Sequence, residues 1–226
     1  MNTVIKIGGS LSEKPNVLRN LGYELSKIAQ KQKILIIPGG AKFADVIREL
    51  DNKFKLPASF THRMAILAMD QYGLFLSQIL PNSQLCDSIK EANKISKAGK
   101  LAIFLPSKMV LDCDPFEASW DVTSDSIAAY IAIKVHSKKV ILITDVDGIF
   151  DEDPKILKNA KLLKTISADK LHSYGGRTSV DKFLPTFLLE NSIDVYVVNG
   201  VDATRIIDIL LGKQTICTLI KKVNKK

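Results

Sequence analysis

Lys6-Ile7-Gly8-Gly9-Ser10 is the first segment whose residue types suit chemistry. Glycines let backbone N–H groups turn toward an anion without obstruction by a Cβ, and the Ser10 hydroxyl adds a donor. Lys6, at the end of a strand-like run, can set its ammonium on a bridging or transferred phosphate oxygen. No G-x-x-x-x-G-K-[ST] occurs anywhere, so this is not a Walker loop. A tight turn with an exposed lysine explains the same residues equally well. Pro38-Gly39-Gly40-Ala41-Lys42 repeats the arrangement. If both glycine pairs open helices, two positive helix ends face one cleft and hold two anionic groups, a donor and an acceptor; the alternative is a plain connection. Thr123-Ser124-Asp125 suits a helix cap, or makes Asp125 a buried carboxylate that orients Lys6 by a charge-assisted hydrogen bond.

Thr144-Asp145-Val146-Asp147-Gly148-Ile149-Phe150, continuing through Asp151-Glu152-Asp153-Pro154, places polar groups after a buried strand, where they can reach phosphates and ribose hydroxyls. Its carboxylates start like a calcium loop but lack the remaining ligand spacing, and an acidic surface turn is the alternative. Gly175-Gly176-Arg177 and Val180-Asp181-Lys182 bring cations to a further glycine turn, which equally suits a mobile surface loop. His62 and Asp70 lie eight residues apart on one helical segment, near the same face, where both could line an acceptor pocket. There is no Ser/His/Asp ordering, H-E-x-x-H, paired Cys/His cluster or G-x-G-x-x-G, which argues against serine hydrolases, zincins and dinucleotide oxidoreductases.

These residues need a frame. Strand patterns are expected at 3–8, 33–37, 101–105, 139–144, 194–198 and 215–220. Helical spacing is expected at 16–31, 41–50, 62–80, 124–135, 180–191 and 203–211. Strands separated by helices imply parallel crossovers and a sheet covered on both faces, hence an α/β fold, a three-layer αβα sandwich with a mainly parallel central sheet. Ligands gather at the carboxyl ends of such strands. Gly8-Gly9, Gly39-Gly40, Gly148 and Gly200 all fall there, as a surface for close backbone approach to a ligand would require.

Composition bounds the rest. The 226 residues, 46% hydrophobic and 25% charged, form one domain and exclude disorder. The longest apolar run, 127–133, is far short of the ~20 residues of a membrane span. The net charge of +8 is concentrated in a tail: 213–226 holds five lysines and no acid, leaving +3 for 1–212. A solvated terminus explains it better than a nucleic-acid patch, and no nucleic-acid motif accompanies it. Three scattered cysteines, Cys86, Cys113 and Cys217, argue for a reducing cytoplasm.

Taken in order, VIKIGGSL (4–11), IIPGGAKFADVIREL (36–50), WDVTSDS (120–126), ILITDVDGIFDEDP (141–154) and YVVNG (196–200) resemble the amino acid kinase family. The resemblance implies an αβα sandwich and MgATP-dependent phosphoryl transfer, with an acceptor-binding lobe over about 1–135 and a nucleotide-binding lobe over about 136–226. Lys6 would stabilise the transferring group, Asp125 would organise the lysines, and Gly8, Gly9 and Ser10 would hold ATP phosphates. Thr144, Asp145, Asp147, Gly148, Phe150 and Asp153 would contact the nucleotide; Gly39, Gly40, His62, Asp70 and Ser124 would face the acceptor. A second catalytic lysine, expected soon after a Gly-Gly pair, is displaced here to Lys182, with Arg177 its rival. Metal ligands cannot be assigned, since Mg²⁺ can be held mainly by ATP phosphates and water. THRMAILAMDQYG (61–73), AIFLPSK (102–108), SWDVTSDS (119–126) and TSVDKFLP (178–185) are similar to the branch of small phosphate kinases of methanofuran biosynthesis. That implies a phosphate monoester as acceptor, [5-(aminomethyl)furan-3-yl]methyl phosphate, and a diphosphate as product. Isopentenyl phosphate, a nucleoside monophosphate or an amino-acid carboxylate are the rival acceptors, and a non-catalytic nucleotide-binding module the rival class. A symmetric homodimer, with neither nucleic acid nor membrane as partner, is the expected assembly.

Overall fold

A strand whose residues are nearly all apolar must lie between two covering layers, because its side chains alternate between faces. The computed structural model of the chain describes residues 1–221 apart from 114, 153, 155, 158 and 175–177. In it β1 (Thr3–Ile7), β2 (Ile34–Pro38) and β4 (Leu101–Phe104) are buried along their whole length. With β3 (Ser83–Cys86), β5 (Lys139–Thr144), β6 (Thr165–Ser167), β7 (Asp194–Asn199) and β8 (Thr218–Lys221) they form one sheet of order β3-β4-β2-β1-β5-β7-β8-β6. All pairings are parallel except β7 with β8. Six strands therefore end on one edge, and β1 lies between β2 and β5 at the middle of it.

On one face Val4, Ile37, Leu142 and Val197 pack under α4 (Ile89–Lys97), α6 (Ser124–Lys134), α7 (Ala168–Ser173) and α8 (Leu184–Glu190). On the other, Ile5, Ile7, Ile36 and Ile143 pack under α1 (Pro15–Ala29), α9 (Ala203–Leu211) and the second half of α3 (Ala58–Ile79). The three-layer α/β sandwich with a mainly parallel sheet is thus the observed fold. Residues Asp125 to Ala132 of α6 are all buried, so this helix lacks a polar side and sits inside the protein. α2 (Ala41–Phe54) is the opposite case, burying only Ile47.

The helix expected at 180–191 starts only at Leu184, because Asp181 is drawn into hydrogen bonds described below. β3, α4, α5 (Ser107–Cys113), β6 and α7 are additional to the elements that the sequence pattern marks. The strand expected at 215–220 is β8, antiparallel to β7 and parallel to β6. Among the described residues no helix is long and apolar enough to cross a membrane.

Candidate active site

Strand alternation decides where Lys6 goes. It shares a face of β1 with Val4, between Ile37 of β2 and Leu142 of β5, and that face lies against α6. Thr123 caps α6, its hydroxyl accepting from the Asp125 amide, so Asp125 stands in the first turn. Lys6 Nζ lies 2.7 Å from Asp125 Oδ1, and both side chains are almost fully buried. A buried charge of either sign is costly alone, so the two hold each other in place.

Beyond β1, Gly8 N–H donates to Ile143 O at 2.9 Å, prolonging the sheet by one residue. The chain then forms a 3-10 turn, Gly9–Leu11, whose leading amides, Gly9 and Ser10, have no helical partner. Beside it, Gly39 N–H donates to Ile7 O at 2.9 Å, and α2 begins at Ala41. The two glycine turns touch: a Cβ at Gly9 would overlap the Cα of Ala41. Ala41 itself holds a left-handed backbone, φ 47°, which costs a residue with a Cβ about 1 kcal/mol. The expected juxtaposition of 6–10 with 39–40 is therefore present.

A cleft of about 430 Å³ opens in front of these turns. Gly9, Ser10, Gly40, His62 and Ser124 line it, as do residues that the sequence did not single out: Glu13, Asp45, Arg48 and Trp120. The Arg48 guanidinium lies 4.5 Å over the Trp120 ring, while the indole N–H donates to Asp51 Oδ2 at 2.8 Å. Lys42 pairs with Glu13 at 2.5 Å on the rim, which lowers the Glu13 carboxyl and raises the Lys42 ammonium from their ordinary values. Both are exposed.

Three expectations meet a different geometry. Asp70 shares α3 with His62 but does not line the cleft; its carboxylate accepts from the amide and hydroxyl of Ser107. Burial pushes that carboxyl up, against the pull of Ser107. Lys182 points outward and meets Asp121 at 3.0 Å, both more than half exposed, so it does not join Lys6. Its neighbour Asp181 turns inward instead. Asp181 is buried, accepts hydrogen bonds from α6 and α8, and donates its amide to Asp125 Oδ2 at 3.2 Å. Burial raises its carboxyl, the Asp125 charge adds to the rise, and the bonds from Ser126 and Thr123 oppose it. Finally, Gly148 and Gly200 do not present open backbone. A Cβ at Gly148 would run into Thr218 and one at Gly200 into Ile143 and Leu11, so core packing accounts for both glycines.

Past β5, Thr144 donates to the exposed Asp145 carboxylate at 3.3 Å. Asp147 accepts from Arg205 at 2.6 Å and Asn199 at 3.0 Å. Burial works against its ionisation, but those two partners outweigh it and hold the carboxyl below its usual range. Phe150 bridges Leu162. Asp153, Gly175, Gly176 and Arg177 lie outside the described residues.

Residues 1–199 match the family model described as the amino acid kinase family. The chain belongs to the amino acid kinase family. Among its relatives, a [5-(aminomethyl)furan-3-yl]methyl phosphate kinase of Methanocaldococcus jannaschii is 39% identical over 226 aligned residues, covering 98% of this chain and 99% of its own. A uridylate kinase of Pyrococcus abyssi is 28% identical over 94% of this chain and 96% of its own. Of solved structures, the UMP kinase from Bacillus anthracis superposes with a TM-score of 0.78 at 19% identity, over 99% of this chain and 96% of its own. The uridylate kinase from Archaeoglobus fulgidus gives 0.76 at 22%, over 97% and 100%. At such identities these two show the shared fold. Family membership makes this protein a phosphotransferase, as the sequence resemblance implied.

Proposed function

We propose that this kinase transfers the γ-phosphoryl group of ATP to the phosphate of [5-(aminomethyl)furan-3-yl]methyl phosphate in the cytoplasm, giving a diphosphate and ADP. The bond from the γ-phosphorus to the β–γ bridging oxygen breaks, its electron pair leaving with ADP, and an acceptor phosphate oxygen bonds to that phosphorus. Such a reaction asks the protein for positioning and charge neutralisation. The observation that carries the reading is the buried Lys6 ammonium, held by Asp125 behind two touching glycine turns. In this reading Gly8, Gly9 and Ser10 take ATP phosphates, the segment from Thr144 to Phe150 takes the nucleotide, and Gly39, Gly40, His62 and Ser124 face the acceptor.

The cleft favours an acceptor that bears both charges. Lys42 with Glu13 and Arg48 with Asp45 form ion pairs at the cleft whose cations could turn to a phosphate and whose carboxylates could turn to an ammonium, and the wall is not the wholly apolar one an isoprenoid chain would prefer. The 39% identical relative is a kinase of that same aminomethylfuran phosphate. Among the described residues no group of three or more His, Cys, Asp or Glu could hold a metal ion. A Mg²⁺ ion held mainly by the ATP phosphates and water would neutralise their charge when bound. Lobes at about 1–135 and 136–226 would hold acceptor and nucleotide respectively.

A homodimer belongs to the same proposal. Phe60, Leu67 and Leu74 recur every seven residues along α3 and are 64%, 47% and 51% exposed, a stripe suited to pairing with its own copy about a two-fold axis.

The test is ADP release over a panel of acceptors: the aminomethylfuran phosphate, UMP, isopentenyl phosphate and amino acids. Turnover of the furan phosphate far above the others is expected. Preference for UMP would instead align this chain with its uridylate kinase relatives.

A further inference from the structure

Asp181 is the most heavily bonded carboxylate of the site, and no step of the proposed transfer uses it. Its Oδ2 accepts from the Thr123 amide (2.9 Å), the Thr123 hydroxyl (3.0 Å) and the Ser126 amide (2.9 Å). Its Oδ1 accepts from the Ser126 hydroxyl (2.6 Å) and the Leu184 amide (2.8 Å). One side chain thus joins the first turn of α6 to the first turn of α8.

Residue 125 lies between the two clamped residues, Thr123 at the cap of α6 and Ser126 in its first turn. The Asp181 amide also reaches it directly, donating to Asp125 Oδ2 while Lys6 engages Oδ1. The orientation of the Asp125 carboxylate is therefore fixed from both ends of Asp181: by the side chain through residues 123 and 126, and by the backbone through Oδ2. A plain helix cap works at the surface, where water shares the solvation of its charge. This one is buried beside a second carboxylate, a costly location for a group that only ends a helix.

We infer that Asp181 is a positioning residue of the phosphoryl site, setting the Lys6 ammonium through Asp125. This rests on the kinase reading above, where Lys6 meets the transferring group. It also accounts for the outward Lys182: the backbone that turns Asp181 toward α6 directs the next side chain to Asp121 at the surface.

Asp181→Asn replaces one acceptor oxygen by an amide donor facing N–H or O–H groups, so it cannot satisfy both clamped turns. In a crystal structure of this variant the 2.7 Å contact between Lys6 and Asp125 is expected to open beyond ion-pair range. kcat should fall about 10²-fold, with KM for ATP and acceptor within about two-fold of wild type. Added to Asp125→Asn, the same change should cost kcat nothing further, since the two act through one contact. Ser126→Ala, which removes only the 2.6 Å hydroxyl bond, should cost kcat about five-fold and serves if Asp181→Asn does not fold. The inference is overturned if either folded variant keeps wild-type kcat, if the losses of Asp181→Asn and Asp125→Asn simply multiply, or if the Lys6–Asp125 contact survives unchanged. Should wild-type protein turn over none of the acceptors, the functional reading fails by itself, and the crystallographic contact still decides the role of Asp181.

Discussion

Replacing Lys6 by methionine separates what the buried ion pair does for the fold from what it does for the reaction. At 2.7 Å and an effective dielectric of about 20, the two charges attract by about 6 kcal/mol. Desolvation of each ion offsets several kcal/mol, so the pair adds little net stability. Its removal from one side is another matter: Lys6→Met leaves the Asp125 charge buried without its partner, at a cost of about 3–5 kcal/mol. For a chain of 226 residues that is a melting temperature lower by roughly 10 °C, with the protein still folded at 25 °C. Turnover should drop by at least about 10²–10³-fold, the usual loss when a charge-stabilising group is removed from a transition state. Lys6→Met combined with Asp125→Asn removes both charges and should recover most of the lost stability, to within about 1 kcal/mol of wild type, yet none of the activity. Urea denaturation and ADP release on the same preparations read the two effects. Turnover of Lys6→Met within tenfold of wild type would refute the placement of the phosphoryl site, and a double variant less stable than Lys6→Met would refute the electrostatic account.

Two further outcomes are expected. Asp147 ionises below its usual value, so its pairing contributes stability above about pH 3.8 that is lost as pH falls through the lowered value. Arg205→Ala should therefore cost about 1 kcal/mol at pH 7, a figure already reduced for solvent exposure. Most of that deficit should vanish once the pH has fallen through the lowered value, and a deficit that stays equal across the acid range in urea titrations counts against the assignment. Leu67→Asp sets a charge at the centre of the α3 stripe and should give a monomer by sedimentation; an unchanged dimeric mass would place the contact elsewhere.

Much of the site could be read from residue types because its geometry follows from strand alternation. A lysine two residues before a glycine pair, in a strand otherwise nearly all apolar, suits either a covered face or an exposed turn; the Asp125 contact decides for the first, and the next glycine pair marks the neighbouring turn. In Val180-Asp181-Lys182 the cation is the residue type that suits phosphate, and nothing within that triplet marks Asp181 as the inward group. The available signal was an aspartate shortly before Leu184-Pro185, the arrangement of a helix start with proline in its first turn. Arg48 and Trp120 come together only through the packing of α2 against the loop before α6, which no local pattern encodes. β3 was missed because Ser83 and Gln84 lie on an edge strand where polarity is tolerated. β6 was missed because three residues carry no periodicity. Gly148 and Gly200 are ambiguous for a related reason: a glycine that makes room for a ligand and one that makes room for a core side chain look the same in sequence.

β8 is the last of the eight strands to be synthesised, yet it lies between β7 and β6. Its Thr218 hydroxyl accepts from the Ile149 amide and donates to Leu163 O, stitching both ends of the excursion that separates β5 from β6. On the ribosome, then, β6 has no strand to pair with until residue 218 has emerged, and a nascent chain halted before that point would hold β1, β2 and β5 in register with one flank of its sheet unfinished.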